Sequence, residues 1–233
     1  ILDHDVIRAN YAMFRKHLPK VQAYYAVKAN AEPAIVRTLY KAGAQINASS
    51  TFDDIFSVLR QHTVLGKANK LVSLLLFDRP MTDTITSVWL TPIAHWTSLP
   101  PENFQSQYLV QQFPAVRYLS PSEIVAFEDI ENDGRLNDSV RRVFLGNFES
   151  KSVITAPLFV GGKWIGFILA GFGDLQHFDQ GQNKRLLALT GQAAVAVQNI
   201  LSLDESRRRA NQLQTAAEIA RDTTGSLTLD ELL

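Results

Sequence analysis

The chain has 233 residues, 46% hydrophobic and 20% charged, enough for one large globular domain or a medium domain with a fragment. Lysine and arginine total 23, as do aspartate and glutamate, and this formal neutrality argues against a general nucleic-acid binder. There is no cysteine, which excludes disulfides, thiolate metal sites, a catalytic thiol and a thioether-linked chromophore.

The longest apolar runs fall well short of the roughly 18 residues of a membrane span, so no membrane partner is expected. No basic-then-apolar leader opens the chain, and the cytoplasm is the expected compartment. Beginning on Ile1 rather than Met and stopping at Leu233, the sequence reads as a piece of something longer.

Residues 1–50 carry an α/β pattern. Val6, Ile7, Tyr11, Phe14 and Leu18 recur at helical spacing up to Pro19. Val21–Val27 is a β-type run closed by K-A-N. Pro33 opens a second helix, with Ile35, Val36, Leu39 and Tyr40 on its apolar face. Gly43 fits the position just past that helix, and Ala44–Ala48 then reads as a short second strand.

L-D-H-D-V-I-R-A-N-Y, Y-Y-A-V-K-A-N, P-A-I-V-R-T-L and G-A-Q-I-N-A-S resemble the start of the barrel domain of the pyridoxal-phosphate-dependent ornithine/lysine decarboxylases. The resemblance implies that Lys28, in A-V-K-A-N, forms the Schiff base with the cofactor, and so names pyridoxal phosphate as an alternative cofactor. A barrel needs roughly 250 residues, and only two strands are expected here. No catalytic residue, cofactor or enzymatic activity is therefore expected unless that decarboxylase reading holds.

At Thr51 the text changes. Thr51 with Asp54, or Ser50 with Asp53, is a capping signature, and Phe52, Ile55, Phe56 and Leu59 follow at core spacing. The pattern predicts a helix over about 51–65, ending at Gly66. Leu71–Asp78 is a continuous apolar run of central-strand type, Arg79–Thr84 a turn, and Ile85–Trp96 an antiparallel partner. Pro92 suits an edge or strand end there. Residues 100–138 are looser, with one helix expected near Glu102–Phe113 and another near Asp138–Gly146.

Two apolar runs, Val153–Val160 and Trp164–Ala170, flank Gly161-Gly162, a hairpin signal. The order S-V-I-T-A-P-L, then G-G-K-W-I-G-F-I, then H-F-D-Q before a helix resembles the end of a GAF domain. That resemblance implies an α+β fold over about 51–200: an antiparallel sheet flanked by helices, carrying the short N-terminal α/β fragment and a long C-terminal helix. It implies a sensory or regulatory role. Residues 100–138 would form much of a ligand pocket and its lid.

From Asp179 the pattern stays helical for about 45 residues. Leu186, Leu189, Ala193, Ala196, Ile200 and Leu203 form a narrow seam that resumes at Ala210, Leu213, Ala217 and Ala220. A helix over 180–224 without its own core implies a partner helix, hence a homodimeric coiled coil. Gly225 should break it, with Thr228 capping the start of a following domain over 225–233.

The pocket candidates within the aromatic set are Trp89, Trp96, Phe127, Phe144 and Phe148, around an unnamed small molecule held non-covalently. The five histidines show no metal-ligand spacing, so no metal is expected. The Asn-Lys…Phe…Asp-Glu signature of cyclic-nucleotide-binding GAF domains is incomplete, because Gln180 follows Phe178-Asp179.

Overall fold

The computed structural model describes residues 33–81 and 88–230. The chain divides into two compact units, Ile1–Arg37 and Thr38–Leu233, and the second is described here. The expected helix before Pro19, the Val21–Val27 strand, Lys28 and residues 82–84 of the Arg79–Thr84 turn lie outside the described residues; Arg79, Pro80 and Met81, expected in that turn, instead extend a strand that begins at Leu71.

Six strands form one antiparallel sheet in the order β3-β2-β1-β6-β5-β4. They are β1 (Leu71–Met81), β2 (Trp89–Thr97), β3 (Tyr108–Leu109), β4 (Val125–Phe127), β5 (Ser152–Val160) and β6 (Lys163–Phe172). The helices are α1 (Pro33–Ala48), α2 (Phe52–His62), α3 (Asp138–Arg142) and α4 (Gln180–Asp230).

The central strands read as unbroken apolar runs because both faces are covered. Along β1, Val72, Leu74 and Leu76 enter a core shared with α1, α2 and α4. The alternate residues Leu71, Leu75 and Phe77 enter a second core under the connecting segments 99–148. This is the period of two in a strand, sending neighbours to opposite faces.

Thr51 caps α2 reciprocally. Its Oγ1 accepts from the Asp54 N–H at 3.1 Å, and the Asp54 carboxylate accepts from the Thr51 N–H at 3.2 Å. Hydrogen bonds to the carboxylate from the Thr51 hydroxyl first, then the Ser50 N–H, the Thr51 N–H and the Ser50 hydroxyl, hold the Asp54 carboxyl below its ordinary value. The helix closes at His62, and a 3-10 turn over Val64–Lys67 carries the chain past Gly66.

The hairpin forms as its sequence predicts. Val160 pairs with Lys163, leaving a two-residue loop in which Gly161 and Gly162 have φ of 58° and 76°. Both lie in the left-handed region that such a loop requires.

Four further expectations are corrected. Ala44–Ala48 is not a strand; it is the last part of α1, and Ala42 and Ile46, four residues apart, are fully buried on one helical face. Gly43 is inside α1 rather than past it. A Cβ there would sit 2.0 Å from Gln192 Oε1 of α4, the end of an exposed side chain. No helix spans Glu102–Phe113; short 3-10 turns and β3 occupy it, with Tyr108 and Leu109 pairing to Leu90 and Trp89. Gly225 does not break α4, which is continuous to Asp230.

Within α4 the apolar seam has two fates. Leu186, Leu189, Ala193, Ala196 and Val197 are buried in the domain's own core, whereas residues 201–220 are exposed. An 18-residue window within Gln180–Ala220 has mean hydropathy 1.5, long and apolar enough by composition to cross a membrane. Of that window 39% is buried within the domain.

Candidate functional site

The sheet face opposite α4 holds a cleft of about 100 Å³. Its floor comes from three central strands: Leu71, Ser73 and Leu75 of β1, Pro92 and His95 of β2, and Leu169 of β6. Its walls come from the connecting segments: Phe104, Tyr108, Phe113 and Phe148.

A β-bulge shapes the floor. Leu74 pairs with Ala94 but Leu75 pairs with Pro92, so Ile93 is the extra residue. The bulge turns Pro92 to the cleft and sends Ile93 against the core on the helical side. Pro92 also lies beyond the two residues of β2 that β3 covers, so its missing N–H breaks no ladder bond there.

Ser73 and His95 are cross-strand partners and both line the cleft. Ser73 is 6% exposed. The His95 ring lies 6.2 Å from that of Phe104, with 18° between the planes. Phe104 is in turn 5.8 Å from Phe148 at 22°. The three rings form a near-parallel column along one wall. Tyr108 meets Phe113 edge-on at 5.7 Å, and its hydroxyl accepts from the Gln105 N–H at 3.1 Å.

Among the described residues, no Lys, Arg, Asp or Glu lines the cleft, and no group of His, Asp or Glu has the geometry of a metal site. Phe148 is positioned by the chain turn behind it. Glu149 has φ of 44°, unusual for a residue with a side chain, and its carboxylate pairs with Lys70 Nζ at 2.6 Å. The Ser150 N–H donates to the Phe144 carbonyl at 2.8 Å, closing that turn.

Of the aromatic residues singled out from sequence, Phe148 lines the cleft. Phe127 and Phe144 are buried in the core beside it; Phe127 packs edge-on against Tyr118 at 6.1 Å and carries Arg135 over its ring at 4.6 Å. Trp96 lies on the opposite face, because it pairs with Val72, and Arg60 covers its ring at 4.2 Å. Trp89 is 40% exposed where β2 meets β3. Ser73 and His95 had no sequence signal, since a pair 22 positions apart declares itself only through strand register.

The other face connects to α4 through a polar joint. Ser152 Oγ donates to the Glu128 carbonyl at 2.6 Å and accepts from the Gln176 N–H at 2.8 Å. The Glu128 carboxylate accepts from the Phe178 N–H at 2.9 Å and pairs with His177 Nδ1 at 2.9 Å. Asp179 Oδ1 then accepts from the Gln182 N–H at 2.8 Å and caps α4.

The Phe178 N–H, then His177, hold the Glu128 carboxyl below its ordinary value of 4.5. A carboxylate depressed by folding stabilises the fold fully above its unfolded value. That contribution is lost as pH falls through the lowered folded value. Glu128→Gln is expected to flatten the acid side of the stability profile, while costing less than about 1 kcal/mol near neutrality because Glu128 is 47% and His177 82% exposed. Urea melts from neutral pH into the acid range check this; an unchanged acid slope would contradict it.

A family model described as the GAF domain matches residues 48–197. A second, described as the pyridoxal-binding domain of pyridoxal-dependent decarboxylases, matches residues 4–64 and overlaps the first across α2. No curated protein matches the chain. Among solved structures, the GAF domain of an Acinetobacter phosphoenolpyruvate-protein phosphotransferase is 16% identical, with a TM-score of 0.55 over 75% of this chain and 99% of that one. The phycocyanobilin-bound GAF domain of a cyanobacterial phytochrome is also 16% identical, with a TM-score of 0.53 over 70% and 93%. The chromophore-binding domain of a bacteriophytochrome from R. palustris is 11% identical, with a TM-score of 0.55 over 74% and 64%. At these identities the likeness shows the fold, and the family-model match over residues 48–197, most of the chain, places this chain in the GAF domain family.

Proposed function

We propose that this chain is a sensory GAF module that binds a small molecule non-covalently in the cleft and passes the change through α4 in a homodimer. The observation that carries the reading is the two-faced β1. Leu71, Ser73 and Leu75 face the cleft, while Val72, Leu74 and Leu76 face the core on which α4 lies. A ligand that shifts β1 by a fraction of an ångström changes the packing under α4, because close-packed interiors transmit displacement.

The exposed stretch of α4, with Leu203 at 51% and Leu213 at 73% exposure, supplies the apolar positions for a second copy. The bilin of the phytochrome relative is a poor guide to the ligand. There is no cysteine to hold it, and the cleft is far below the 300–1,000 Å³ of sites for larger molecules.

The test uses the absence of native cysteine. Leu213→Cys allows a single spin label per chain, and the label-to-label distance in the dimer is expected to change when the ligand retained from cells, identified by native mass spectrometry, is removed. A clean monomer in analytical ultracentrifugation at tens of micromolar, or an unchanged distance, would sink the coupling.

The family match over residues 4–64 favours a second reading, a pyridoxal-phosphate site at Lys28. The residues present do not fit it. The segment that would be the second barrel strand is helix α1. Adding the cofactor is expected to produce no visible absorbance band dependent on Lys28; a band lost in Lys28→Ala would restore the decarboxylase reading.

A further inference from the structure

We infer that the ligand of the cleft is an uncharged, planar, single-ring compound carrying one hydroxyl or N–H group, of the phenol or indole type. This rests on the reading of the cleft as the sensor's binding site. Four observations converge on that class.

The first is charge. No Lys, Arg, Asp or Glu is on the described lining, whose polar side chains are Ser73, His95, Gln105, Ser106 and Tyr108, so no side chain of fixed charge offsets the desolvation of a buried carboxylate, phosphate or ammonium. The second is size. An apolar cavity of about 150 Å³ takes up benzene, and this cleft of about 100 Å³ is on the same scale. The third is shape. The column of His95, Phe104 and Phe148, with 18° and 22° between successive planes, offers parallel ring faces and edges to a flat molecule.

The fourth is the polar handle. Ser73 is 6% exposed as a residue and lines the cleft, which places its hydroxyl within reach of a bound molecule. His95, directly across the ladder, also lines the cleft, and its imidazole can donate or accept a hydrogen bond. A hydroxyl or N–H on the ligand engages the two together: it donates to one and, for a hydroxyl, accepts from the other.

The experiment titrates the full 233-residue chain with four probes: phenol, indole, benzoate and cyclic AMP. Amide and imidazole NMR signals of Ser73 and His95 locate the binding. Phenol and indole are expected to shift both residues saturably. Benzoate, the same ring with a charge, should bind at least about tenfold more weakly. Ser73→Ala should weaken phenol by about fivefold, the loss of one neutral hydrogen bond, and His95→Leu by a similar factor. The spectra of both variants outside the cleft report whether the fold is kept.

If benzoate or cyclic AMP shifts Ser73 and His95 with equal or higher affinity, the ligand class is overturned and the sensor cleft survives. If none of the four probes moves these two residues, the ligand class and the cleft itself both fall.

Discussion

Replacing Gly166 with alanine is expected to cost about 3 kcal/mol of stability, well above the usual small-to-large change at a surface. A Cβ at that position would lie 2.1 Å from the Leu75 carbonyl oxygen and 3.0 Å from the Leu76 Cα. Both are backbone atoms of the neighbouring central strand, so no side-chain rotation relieves the overlap. β1 and β6 would have to part where their ladder runs from Leu71 opposite Gly171 to Leu76 opposite Gly166. The midpoint in urea should fall, with a drop of roughly 10 °C in melting temperature. Gly146 is the control. Nothing lies within 4 Å of a Cβ there, and Gly146→Ala should change stability by less than about 0.5 kcal/mol. Equal losses at the two positions would refute the close-approach account.

Local features were legible in the sequence because their causes are local. The capping box at Thr51 and Asp54 and the Gly161-Gly162 turn each depend on residues within four positions. The central strands were legible as apolar runs, though the runs alone did not say which residues face which core. Two of the misread elements, Gly43 and Ala44–Ala48, share one cause: a residue whose spacing suggests a backbone role instead faces a tertiary neighbour. Gly43 looked like a helix end but accommodates Gln192 of α4. Ala44–Ala48 looked like a strand because Ile46 stands alone in it, whereas its partner is Ala42, one helical turn earlier. Gly225 looked like a breaker, yet α4 continues through it.

The site was the least legible part. Tryptophans drew attention by size, but Trp96 is turned to the helical face by strand alternation and Trp89 lies at the sheet margin. The cleft's polar floor depends on a register in which Ser73 meets His95, and on a bulge that turns Pro92 inward. Neither follows from residue spacing. Phe104, Tyr108 and Phe113 belonged to the aromatic set, but their convergence depends on the 3-10 turns that replace the expected helix.

Truncating Leu74 and Leu75 in turn should separate stability from binding along a single strand. Leu74 is fully buried on the helical side, and Leu74→Ala is expected to cost about 4 kcal/mol through lost contacts and a sealed void. Leu75 is 3% exposed but borders the cleft, so part of its surface already lacks packed neighbours. Leu75→Ala should cost only about 2 kcal/mol. It should also enlarge the cleft and shift binding toward bulkier rings, indole gaining on phenol, with the same NMR signals of Ser73 and His95 as the readout. If β1 couples the two faces, ligand binding to the wild-type chain should also slow amide exchange in α4 over Leu186–Val197, which packs on the core that Leu74 enters. Protection that rises at Ser73 and His95 but not in α4 would leave the cleft as a binding site with no route to the helix. Equal stability losses at Leu74 and Leu75 would mean that the cleft closes in solution, since a residue beside a persistent void has fewer contacts to lose.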